Sequence, residues 1–104
     1  MELSLLERIM ITNMLPSTGR FEDMIIRKDV LNKVAVKQDE IKTYDVRSLD
    51  SGGIQWNEAG ATYTITVELT EMEKNFIQKT LKKVSDDEKL PAECVDLYKK
   101  FNQF

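Results

Sequence analysis

Few side chains in this sequence could do chemistry. Cys94 is the one thiol among 104 residues, and histidine is absent. Without imidazole there is no Ser-His-Asp or Cys-His nucleophile system, no HExxH zinc site and no Cys/His zinc finger. Cys94 falls near the start of the last expected helix, where the helix dipole lowers a thiol pKa. Glu93 and Asp96 stand close by in sequence and oppose ionisation, so Cys94 reads as a buried structural residue. Asp86, Asp87 and Glu88 cluster in SDDEKLPAE, which lacks the central glycine and the ligand spacing of a calcium loop. Asp50-Ser51-Gly52-Gly53 signals a turn and has no GxxxxGK[ST] phosphate-loop pattern. The residues therefore point to a non-catalytic chain with no cofactor and no metal.

Binding chemistry is the alternative. Trp56, the only tryptophan, stands in IQWN beside an alternating run, TYTITVEL. One reading makes it a core anchor that fills a sheet–helix interior. The other makes it a contact for a protein partner, where tryptophan is enriched. Tyr63, Tyr98 and Phe101 are the further aromatic candidates for such a surface. Basic residues form a second set. Lys74, Lys79, Lys82 and Lys83 share one helix with Glu71 and Glu73 and read as a solvated face. Arg20, Arg27, Lys28, Lys42 and Arg47 would be the phosphate contacts of a nucleic-acid binder. The net charge of −3 and the acids Asp39, Glu40 and Asp45 on the would-be recognition helix count against that surface.

These side chains need elements to hold them. Ser4 and Glu7 are spaced as a capping box, opening a helix over SLLERIMITNML that is apolar on most sides and closed by Pro16. A face of Phe21, Met24, Ile25, Lys28, Leu31 and Val34 predicts a helix over 21–34, followed by two turns in KQDEIKTY. The period then changes to that of strands: VRSL, a reversal at Gly52-Gly53, IQWN, a turn over 57–61, and TYTITVEL, with Tyr63, Ile65, Val67 and Leu69 facing one way. Thr70 and Glu73 form a second capping box and start a helix over 71–84. Residues 85–89 form a loop, and Pro91 begins a last helix docked by Val95, Leu97, Tyr98 and Phe101. Asn102, Gln103 and Phe104 are expected to fray.

The fold class is α+β in one domain: about five helices and a small two- or three-stranded antiparallel sheet. Three helices before a hairpin is also the order of a winged-helix domain, although residues 16–20 offer no strand after the first helix.

LLERIMITNMLPSTGRF, the lone IQWN, LTEMEKNFIQKTLKK and DLYKKF resemble small uncharacterised proteins encoded by tailed bacteriophages and prophages. The resemblance covers the whole length and implies a phage setting in a host cytoplasm; it implies no activity and no site residues. Composition agrees on compartment. The N-terminal segment carries Glu2 and Glu7 where a signal peptide is basic, one cysteine cannot form an internal disulfide, and no apolar run reaches about 18 residues. The expectation is a cytoplasmic interaction module, without a membrane segment, that binds a protein partner or its own copies. The alternative is a winged-helix-like nucleic-acid-binding regulator.

Overall fold

The computed structural model describes residues 1–50 and 53–102. Its order is β1 (Glu2–Ser4), α1 (Leu5–Met14), α2 (Phe21–Val34), α3 (Gln38–Thr43), β2 (Arg47–Ser48), β3 (Ile54–Gln55), α4 (Glu58–Ala61), β4 (Thr64–Thr66), α5 (Glu71–Asp86), a 3-10 turn (Ala92–Cys94) and α6 (Val95–Asn102). The architecture is α+β, dominated by helix. The reversal at Gly52 and the fraying of Gln103 and Phe104 fall outside the described residues.

Both expected capping boxes form. Ser4 Oγ accepts the Glu7 N–H while Glu7 accepts from the Ser4 N–H. Thr70 and Glu73 repeat the exchange at the start of α5. The strands pair as two separate antiparallel ladders. β1 joins β4 with Leu3 opposite Ile65, and β2 joins β3 with Ser48 opposite Ile54. The partner of β4 thus precedes α1, and no strand lies between α1 and α2 among the described residues, so the strand order of a winged helix is not reproduced. The turn expected at 57–61 is a single helical turn, with Asn57 Oδ1 accepting the Gly60 N–H. Pro91 stands just ahead of the 3-10 turn that leads into α6.

α1, α2, α5 and α6 close around one core of Leu3, Ile11, Leu15, Val30, Val34, Val67, Phe76, Ile77, Leu81, Leu97 and Phe101. TYTITVEL alternates as its pattern predicts: Tyr63, Ile65, Val67 and Leu69 turn inward and the residues between them are exposed. The face assigned to α2 needs correction. Val30 and Val34 are buried with Ile26 and Leu31 against the core, whereas Phe21 is 75% exposed and Ile25 46% exposed. Mixed apolar and charged positions along α2 allow two stripes, and packing against α5 selects the one that holds valine.

One buried cation organises the helix ends. Arg8, on α1, is 1% exposed. Its Nε donates to the Val34 carbonyl at 2.8 Å and Nη2 donates to the Ala35 carbonyl at 3.0 Å, so it satisfies backbone acceptors at the C-terminal end of α2. Nη1 and Nη2 also grip both oxygens of Glu40, on α3, at 2.7 and 2.8 Å. Tyr63 donates its hydroxyl to Glu40 at 2.6 Å, and the Lys37 N–H donates to it at 3.0 Å. The Arg8 hydrogen bonds, helped by those from Tyr63 and Lys37, overcome the opposing effect of burial and hold the Glu40 carboxyl at about 2, against its ordinary 4.5. A second tie joins α2 to α5: Lys33 Nζ lies 2.7 Å from Glu73, whose carboxyl is also lowered because Lys33 and the Thr70 N–H outweigh its burial.

Candidate functional site

A groove runs along the side of α1 that the core does not cover. Leu6, Ile9, Met10 and Met14 recur at helical spacing and form its floor, with Asn13 of the same helix at the edge. Ile54 and Trp56, from β3 and the residues after it, make one wall; Val84 and Pro91, from the end of α5 and the approach to α6, make the other. Its volume is about 730 Å3. Leu6, Ile9, Met10, Met14, Ile54, Trp56 and Val84 are each half-buried, while the polar lining residues Asn13, Lys89 and Glu93 are exposed. Apolar side chains thus lie at the bottom and polar ones at the rim.

Trp56 owes its place to a close approach. Gly60, buried in α4, lies against the indole and Leu5; a Cβ there would come within 3.1 Å of Trp56 and 3.2 Å of Leu5. Any larger residue would require Trp56 or Leu5 to give by a few tenths of an ångström. Trp56 is therefore a half-buried wall residue and stands outside the hydrophobic core, so the core-anchor reading does not describe it.

The other aromatic candidates separate. Tyr63 stacks on Tyr44 with ring centroids 4.1 Å apart and is tied to Glu40, whose negative charge raises the phenol pKa through their hydrogen bond. Tyr98 is half-buried and packs against the core. Phe101 is 2% exposed and belongs to the core, so it offers nothing to a partner; Gln78 also donates a hydrogen bond to its carbonyl. The 3.6-residue period places Leu97 and Phe101 on one stripe of α6, and that stripe packs inward.

The basic set is divided among three elements. Arg20 directly precedes α2, Arg27 and Lys28 lie near its middle, Lys42 is on α3 and Arg47 on β2. Arg20 lies 3.9 Å from Glu22, and Arg47 pairs with Asp45. Arg27 is half-buried, with a buried Nε that has no hydrogen-bond partner among the described residues.

Cys94 is buried as expected. Its Sγ donates to Met10 Sδ at 3.1 Å, and burial, then the nearby Glu93, push the thiol pKa up. Among the described residues no group of three His, Cys, Asp or Glu side chains is placed to hold a metal ion, and no helix is long and apolar enough to cross a membrane.

The floor of the groove was written in SLLERIMITNML, whose apolar residues exceed what one core face requires. The walls were not, because IQWN and residues 84–93 meet α1 only through tertiary packing. Comparison with protein-family models, with curated proteins and with solved structures returned no match.

Proposed function

We propose that this chain is a non-catalytic protein-interaction module that docks an apolar segment of a polypeptide in the groove of α1. The observation that carries this reading is the groove itself: about 730 Å3, floored by aliphatic side chains and methionine, and walled by a lone half-buried tryptophan. Apolar surface of this kind gains free energy when covered. Met10 and Met14 adapt their shape to different side chains, and tryptophan is the residue most enriched in binding hot spots. A pocket built for a small polar ligand brings several polar groups to its floor; here Asn13, Lys89 and Glu93 stand at the rim. Heptad-like spacing along α1 suits a helix laid beside it. In the phage setting that the resemblance implies, the partner is a host protein or a second copy of this chain. The nucleic-acid reading has less support: its five basic residues are divided among α2, α3 and β2, Arg27 is half-buried, and Asp45 already pairs with Arg47.

The test is capture of proteins from a bacterial lysate by the tagged full chain, with and without nuclease, using wild type, Trp56→Ala and Asn13→Arg. The reading expects a protein that survives nuclease and is depleted about tenfold by either variant, which corresponds to about 1.4 kcal/mol. Capture unchanged by both variants, or recovery of nucleic acid alone, would overturn it.

A further inference from the structure

The molecule carries a second apolar feature without cover, and it has the shape of an occupant for the groove. On the first half of α2, Phe21 is 75% exposed and Ile25 46% exposed. At about 100° per residue, Phe21, Ile25 and Lys28 lie within one narrow stripe of the helix. Such a pair at i and i+4 is the usual anchor of a helix that enters an apolar groove.

The charges are complementary. Arg20 directly precedes Phe21, and Lys28 continues the stripe, both exposed; Glu22 and Asp29 stand about a quarter turn to one side. Around the groove the balance is acidic. Between the lining residues Val84 and Lys89 the chain exposes Asp86, Asp87 and Glu88, and Glu93 lines both the groove and an adjoining depression that also contains Asp96 and the Glu7–Lys100 ion pair. Over residues 86–96, five carboxylates face one lysine, Lys89. Lys82 and Lys83, like Asp86, Asp87, Glu88 and Asp96, flank the groove without lining it, and over residues 82–96 the five carboxylates still outnumber the three lysines.

We infer that the groove binds the Phe21–Ile25 edge of α2 from a second copy of this chain. The inference rests on the docking role proposed for the groove and names its occupant. Phe21 and Ile25 enter between α1 and Trp56, while Arg20 and Lys28 meet the acidic segment. The contact is head-to-tail: each copy offers one edge and one groove, so association closes into a ring or continues as a chain.

The experiment is sedimentation equilibrium of the full chain over a wide concentration range, at low and high salt. Phe21→Asp removes the apolar edge from an exposed site, and Asn13→Arg obstructs the groove from another, so neither disturbs the core. Each variant alone is expected to weaken association at least tenfold. An equimolar mixture of the two should recover association as a heterodimer, because one intact edge then meets one intact groove. High salt should weaken the wild-type contact. A wild-type chain that stays monomeric at all concentrations overturns the inference but leaves the groove open to another protein, which the lysate capture decides separately. Self-association that survives both variants, or a mixture that fails to associate, overturns it as well.

Discussion

Replacing Glu40 by glutamine keeps the shape of the side chain and removes its charge, so it tests what the Arg8 pair contributes. In the native chain the carboxylate accepts two hydrogen bonds from Arg8 and one each from Tyr63 and Lys37. A carboxyl pKa drawn from 4.5 to about 2 corresponds to roughly 3 kcal/mol of folding free energy at neutral pH. Glutamine retains one carbonyl acceptor and presents an N–H₂ to a site occupied by donors. Arg8 is 1% exposed and cannot turn to water, so the expected loss is about 3 kcal/mol, in the range for breaking a buried pair from one side. Glu40, with 16% of its side chain exposed, has more access to solvent. Removing the cation as well, in Arg8→Met/Glu40→Gln, relieves the uncompensated charge but leaves the Val34 and Ala35 carbonyls without their donors, so the double variant should stay within about 1 kcal/mol of Glu40→Gln. The assay is urea unfolding followed by far-UV circular dichroism across pH. The folded-state pKa of Glu40 is depressed, so its contribution is fully present above about 4.5 and is lost as pH falls toward about 2. The gap between wild type and Glu40→Gln must close across that window. A gap below about 0.5 kcal/mol at neutral pH, or one that does not change with acid, would refute the argument.

Three further outcomes follow from the same structure. Tyr63→Phe keeps the ring on Tyr44 but deletes a donor to an ionised acceptor; it should cost about 1–2 kcal/mol in the same unfolding assay. Two phenylalanines should separate in thermal melts: Phe101→Ala costs about 3–5 kcal/mol, whereas Phe21→Ala stays within about 0.5 kcal/mol of wild type because its ring is already in water. Native Cys94 should react with a thiol reagent only through opening of the fold, so its labelling rate should rise steeply with urea; immediate labelling without denaturant would contradict its burial and raised pKa.

What the sequence made legible was local. The capping boxes at Ser4 and Thr70 are contained within four residues each, and both form. The alternation from Tyr63 to Leu69 needs only a solvent side and a core side, and it holds. The strand at Glu2–Ser4 went unseen because its partner, Thr64–Thr66, lies some sixty residues away, and nothing in three residues specifies such a pairing. Arg8 looked like an ordinary charge on a crowded helix. Only the meeting of α1 with the end of α2 makes it a buried capping group, and no periodicity encodes that. The choice between the two readings of Trp56 was hidden for a related reason: only tertiary packing sets Gly60 against one side of the ring and leaves Trp56 to line the groove.

α3 contains no buried residue, so packing alone gives it little reason to stay folded. Its main side-chain attachment is the Glu40 carboxylate, shared with Arg8 and Tyr63, beside one hydrogen bond from Asn57 Nδ2 to the Thr43 carbonyl. An opening confined to α3 must therefore strand the Arg8 guanidinium in the interior, where it would face the α2 carbonyls without a counter-charge. That penalty removes the usual low-energy route by which a short surface helix exchanges its amide hydrogens. The amides of this six-residue helix should exchange in step with those of α1 and α5, as one cooperative unit; the link between them is electrostatic rather than hydrophobic.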